Sequence, residues 1–222
     1  MAAMKKISSR FIPTTINEFI DFFEKSKKTP YLTIVMPISS SLCQQLLSVQ
    51  QQLKDIDPEH LYYPPQIFHI TLKELGWLNE TISVSALDWV HKFVGDISST
   101  FKPFDIEIKG LSYFPDAVFC KVRNQNQIRE LHLKICDGLK EKVPPVEFEG
   151  DKFIAHVSLL YFVSKNVEKL LNRVSQLSDT LIGKMRADSI CIAYGYPHLL
   201  LDPSEEKRVK SLLCIREFKL GG

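Results

Sequence analysis

The feature that most narrows the folds open to this chain is an internal repeat. The strand-like run Tyr31-Leu-Thr-Ile-Val-Met36 has a counterpart 86 residues later in Ala117-Val-Phe-Cys-Lys-Val122. His69-Ile-Thr-Leu72 has one 87 residues later in His156-Val-Ser-Leu159. Between these runs the apolar residues change to a helical period. Leu42, Leu46, Val49 and Leu53 carry it in the first copy, and Ile128, Leu131, Ile135 and Leu139 carry it in the second. A further helix is expected over residues 83–97, and its counterpart is marked by Val167, Leu170, Leu171 and Val174. Strands are expected over 104–109 and 188–194. Each copy therefore reads strand, helix, strand, helix, strand, a duplicated βαβαβ unit. Residues 209–219 add a last strand. Ahead of the repeat, Thr14 or Thr15 can cap an amphipathic helix over 14–27 that carries Ile16, Phe19, Ile20 and Phe23. The expected organisation is an N-terminal helical extension, 1–29, and one domain, 30–222. Within that domain the lobes span about 30–110 and 111–196.

Composition removes several alternatives. No apolar run nears the roughly 18 residues of a membrane span. The Lys5-Lys6 start lacks the apolar core of a secretory signal. A net charge of +2 does not mark a strongly basic nucleic-acid binder, although it leaves room for a local basic groove. Five scattered cysteines without a CxxC pair argue against a zinc knuckle and against a disulfide framework. A reducing cytoplasm is the expected compartment.

The chemistry sits on the middle strand of each copy. Residues i and i+2 of a strand share a face, so His69 stands beside Thr71 and His156 beside Ser158. If the halves pack about a pseudo-two-fold axis, both pairs converge on one cleft. Displacement at a phosphodiester needs a base for the nucleophile and an acid for the leaving oxygen, which two imidazoles supply near neutral pH. The hydroxyls can donate to the phosphate oxygens as charge grows there. No set of Asp, Glu and His at ligand-like spacing suggests a metal, and no cofactor is expected. A His-x-Ser/Thr run is common by chance. The weight rests on both runs being strand-borne, both preceding Leu, and both holding one position in the repeat.

At these residues the chain resembles the two-histidine (2H) phosphoesterases, which include the 2′-5′ RNA ligase-like proteins. The resemblance covers about residues 30–195. It rests on Pro64-Pro-Gln-Ile-Phe-His-Ile-Thr-Leu-Lys-Glu-Leu-Gly76, Ile108-Lys-Gly-Leu-Ser-Tyr-Phe-Pro115 and Phe148-Glu-Gly-Asp-Lys-Phe-Ile-Ala-His-Val-Ser-Leu159. It implies a bilobal α+β fold with a central cleft and metal-free hydrolysis of 2′,3′-cyclic phosphates, commonly to a 2′-phosphate. It also implies a related 2′-5′ joining of RNA ends. Ala155 stands where many members have Pro, and Ser158 replaces the commoner Thr. Neither change removes a reacting group.

The expected site is then His69 and His156 as acid and base, with Thr71 and Ser158 as phosphate clamps. Alternation puts Lys73, at i+4 from His69, on the same face as His69 and Thr71, a candidate ligand for phosphate or an RNA backbone oxygen at the cleft rim. Tyr113, Phe114 and Phe119 are candidate base-stacking rings. His91 and His132 fall on expected helices, at surface or boundary positions, His60 and His198 fall in loops, and none of the four receives a function. The expected partners are RNA ends or cyclic nucleotides, with no membrane and no obligate protein partner, and a monomer is expected. The alternative is a nucleotide- or RNA-binding sensor that uses the same cleft with negligible turnover.

Overall fold

A computed structural model describes residues 24–123, 125–146, 149–164 and 166–221. The expected helix over 14–27 lies outside these except for its last turn. The chain runs through strand β1 (Tyr31–Pro37), helix α1 (Ser40–Lys54), β2 (Leu61–Tyr62), β3 (His69–Trp77), α2 (Val84–Ser99) and β4 (Phe104–Tyr113). It continues through β5 (Ala117–Arg123), α3 (Asn126–Leu139), β6 (His156–Tyr161), α4 (Glu168–Gln176), β7 (Leu181–Ala187), β8 (Ser189–Gly195), α5 (Glu205–Val209) and β9 (Leu213–Lys219). Ser39 and Ser83 cap α1 and α2, accepting from the amides of Leu42 and Ala86 at 3.4 and 3.2 Å.

Two antiparallel sheets result, one ordered β3-β1-β8-β9 and the other β2-β6-β5-β4-β7. This α+β arrangement keeps the expected repeat but corrects the expected lobes. Neither sheet is built from 30–110 or 111–196 alone. β4 leaves the first half to join β5, β6 and β7, while β8 leaves the second to join β1 and β3. The helices cross over as well, with α1 packing on β7 and α3 on β3. Hairpin geometry explains the exchange. The chain passes from β4 to β5 in three residues, so the two strands must pair with each other.

Leu32, Ile34, Met36, Ile70 and Leu72 fill one side of the first sheet, and Val118, Cys120, Val157 and Leu159 fill one side of the second. On the opposite face of the first sheet Val35, Cys191 and Ala193 form a second, small buried cluster. β7 has no counterpart in the expected element list. Leu181-Ile-Gly-Lys-Met-Arg-Ala187 alternates exposed and buried residues, with Lys184 and Arg186 outside and Gly183, Met185 and Ala187 inside. One cysteine expectation also fails. Cys191 and Cys214 form a disulfide, because residues 23 apart in sequence meet on the neighbouring strands β8 and β9. Cysteine usage therefore no longer argues for a reducing compartment. Cys43, Cys120 and Cys136 are free.

Candidate active site

Both histidines open their strands, and each is approached the same way. A single 3₁₀ turn, Pro65–Ile67 or Gly150–Lys152, precedes the strand and ends at a buried phenylalanine, Phe68 or Phe153. The ring is then fixed by the carbonyl two residues back. Nδ1–H of His69 donates to the Ile67 carbonyl at 2.7 Å, and that of His156 to the Ile154 carbonyl at 2.8 Å. With the proton held at Nδ1, Nε2 is the nitrogen left for a substrate. His69, Thr71, His156 and Ser158 are all half-buried, while Ile70, Leu72, Val157 and Leu159 are fully buried on the other face.

The two sites influence each other. His69 is depressed to about 4, first by burial and further by charge on His156, with the Ile67 carbonyl opposing the shift. His156 is also depressed by burial, with the Ile154 carbonyl opposing. Their surroundings differ. His156 meets the rings of Phe114 and Phe119 edge-on, at 5.0 and 5.2 Å between centroids, and those rings stack on each other at 4.2 Å. Phe119 is 4% exposed, so its ring walls the histidine and offers no open face to a base. Phe114 is half-buried, and Tyr113 stands exposed at the end of β4.

Strand alternation misplaces one residue, and the pairing register shows why. Residues directly opposite on antiparallel strands share a face. On β1, Val35 opposes Thr71 and Thr33 opposes Glu74, whereas Lys73 opposes the buried Ile34. A β-bulge after Thr71 has moved the strand by one residue. Lys73 therefore faces inward at 2% exposure, where its ammonium donates to the Pro144 carbonyl at 3.1 Å and pairs with Glu149. It is not a lysine of the cleft rim. It ties β3 to the loop that leads into His156.

A second tie runs beside it. His132, expected at a surface or boundary, is 1% exposed and stacks on Phe153 at 3.8 Å between centroids. Its Nδ1–H donates to the Leu72 carbonyl at 2.6 Å, and its Nε2 accepts the Gly150 amide at 3.1 Å. That pattern requires the neutral ring, in accord with a pKa depressed by burial. His132 thus holds the bulge of β3 and the turn before β6 together.

The same register brings Lys121 to the site. It opposes His156 directly on β5, on the cleft face, and its ammonium reaches the Ser178 carbonyl. No spacing rule within one strand could have marked it, since the neighbour lies on another strand. Among the described residues no group of three or more His, Cys, Asp or Glu side chains is disposed to hold a metal ion.

Two antiparallel sheets, with a half-buried His–hydroxyl pair on one strand of each, give the arrangement of a two-histidine phosphoesterase-type protein. The 2′-5′ RNA ligase superfamily matches residues 41–194, and the chain belongs to it. A protein named RNA 2′,3′-cyclic phosphodiesterase from Methanothermobacter thermautotrophicus is 22% identical over 166 residues, spanning 72% of this chain and 86% of that one. The fold is shared with TT0787 of Thermus thermophilus, at a TM-score of 0.64 and 15% identity, covering 86% of this chain and 98% of that one. It is also shared with E. coli LigT solved with 3′-AMP, at a TM-score of 0.63 and 12% identity, covering 87% and 99%. Among the described residues no helix is long and apolar enough to cross a membrane.

Proposed function

We propose that the chain is a phosphoesterase that opens 2′,3′-cyclic phosphates at RNA ends or on small nucleotides without a metal. What supports this reading is the matched pair of strands, each carrying a half-buried imidazole and hydroxyl on one face, near enough for charge on His156 to act on His69. Membership of the superfamily and the activity named for the archaeal relative support it.

In the singly protonated pair one ring must be neutral to act as base while the other carries the proton as acid, and we assign the base to His69, whose pKa burial and charge on His156 both depress. The single proton shared by the pair then rests on His156, the acid. Water gives its proton to His69 Nε2 as its oxygen bonds to phosphorus. The bond from phosphorus to the 3′-oxygen breaks, and that oxygen takes the proton from His156 Nε2. One water is consumed, and a 2′-phosphate with a free 3′-hydroxyl results. Thr71 and Ser158 donate to the non-bridging oxygens. A 5′-hydroxyl in place of water gives a 2′-5′ linkage by the same proton transfers.

Incubation with adenosine 2′,3′-cyclic phosphate in excess chelator, followed by chromatographic separation of 2′- and 3′-AMP, tests the reading. Accumulation of 2′-AMP is expected. Loss of activity restored by one divalent ion would point to metal-assisted hydrolysis. Tight binding with no product would support the sensing module instead.

A further inference from the structure

The bulge that removes Lys73 from the cleft has a counterpart in the second copy. On β5, Lys121 opposes His156 and Phe119 opposes Ser158, but Ala117 opposes Tyr161, with the register slipping by one between Val118 and Phe119. Each strand therefore presents a third cleft-facing residue after its His and its hydroxyl. In β3 it is Glu74, and in β6 it is Tyr161. Both are half-buried.

Glu74 is an unusual group to find there. It lies about 7 Å beyond Thr71, two register steps along the strand. The Tyr31 phenol donates to its Oε2 at 2.8 Å. Oε1 has no hydrogen-bond partner among the described residues. A carboxylate can accept at about four lone-pair sites, so one phenol leaves it room to accept from a ligand. Around it lie Tyr161 and, edge-on to Tyr161 at 5.4 Å, Tyr63. Burial raises the Glu74 carboxyl, and its charge helps hold the Tyr161 phenol up at about 12, after burial and Asp116. An anionic acceptor in this position repels phosphate and attracts a neutral donor.

The substrate narrows the choice of donor, and here the inference rests on the phosphoesterase reading. In a 2′,3′-cyclic phosphate both vicinal sugar oxygens are esterified, and neither carries a proton. At an RNA end the 5′-oxygen belongs to the chain. The donors that remain are on the base, on the 2′-hydroxyls of upstream nucleotides and, in a mononucleotide, on the 5′-oxygen; of these only the base distinguishes one nucleotide from another. A carboxylate oxygen suits an exocyclic amino group, such as cytosine N4, and is repelled by a carbonyl in the same place, as at uracil O4.

We propose that Glu74, oriented by Tyr31, is a specificity-determining residue that accepts a hydrogen bond from the exocyclic amino group of the substrate's terminal base. Cytidine and uridine 2′,3′-cyclic phosphates are nearly isosteric and differ only along the N3–C4 edge, where cytosine offers the amino group and uracil a carbonyl beside N3–H. Wild-type kcat/KM should favour cytidine by about 10- to 100-fold, the range for a hydrogen bond to a charged group. Glu74→Gln, which can donate as well as accept, should bring the ratio to within about 3-fold. Tyr31→Phe should lower it partway. A wild-type ratio near one overturns the proposal, whether or not the variants fold. So does a Glu74→Gln variant that loses activity equally on both substrates. Equilibrium binding of cytidine and uridine 2′-monophosphate reads the same contact without turnover. A chain inert on both cyclic phosphates but selective for the cytidine product refutes the enzymatic reading and leaves the Glu74 assignment standing.

Discussion

The two histidine strands share one design and differ in what surrounds it. In both, the ring's Nδ1–H donates to the carbonyl two residues back, a half-buried hydroxyl follows, and a bulge comes next. Around His156 stand two phenylalanines, with Lys121 across the strand. Around His69 the dominant influence is burial, with charge on His156 adding to it. The repeat supplies the geometry, and in the proposed mechanism the unlike surroundings would divide the protons. Acid and base chemistry need that division, because two identical sites would compete for one proton without assigning it.

The strongest way to break the comparison is to remove one ring at a time. His69→Ala and His156→Ala should each lower turnover of a 2′,3′-cyclic phosphate by about 10²–10⁴-fold or more, with circular dichroism unchanged. Near-normal turnover in either folded variant would end the paired assignment.

Lys73 tests whether the two strands are mechanically joined. Lys73→Met leaves Glu149 without its buried partner and should cost about 3–5 kcal/mol in chemical denaturation. Adding Glu149→Leu should recover most of that. A loss of substrate affinity with unchanged stability would return Lys73 to the cleft.

The hydroxyls should matter less than the rings. Thr71→Ala and Ser158→Ala each remove a hydrogen bond to charged phosphate, worth about 1.5–3 kcal/mol, or roughly 10- to 150-fold in rate. Equal losses would extend the symmetry of the two strands to the clamps.

The pH profile sharpens the comparison further. Burial depresses both imidazoles, so in the free protein the pair holds its one proton only below the ordinary histidine range near 6.5. The kcat/KM should therefore be highest on the acid side of neutrality and fall about tenfold per unit once the pair is deprotonated. An optimum at pH 8 or above would contradict it. The smallest effect belongs to Phe114→Leu. Losing the edge-on ring contact to His156, worth about 0.5–1.5 kcal/mol, should slow turnover by roughly 2- to 12-fold. The same change at Phe68, beside His69, should leave the pH profile unmoved.

The sequence alone determined the repeated elements, though not β2, β7 or α5, and the His and hydroxyl positions of each histidine strand. Local rules reach that far. Apolar periods of two and near four mark strands and helices, and alternation pairs His69 with Thr71 and His156 with Ser158. It could not determine what depends on a neighbouring strand. The bulges after Thr71 and Ser158 exist only in the pairing with β1 and β5, and they exchange Lys73 for Glu74 on the cleft face. Lys121 beside His156, the Cys191–Cys214 bond and the crossing of β4 and β8 between sheets are also long-range contacts. His132 reads as a surface residue on its own helix, yet it becomes a buried tie because α3 packs on β3 of the other sheet. A strand's side-chain phase is a local property until it pairs. After pairing, register decides which face each residue takes, and only the tertiary structure sets the register.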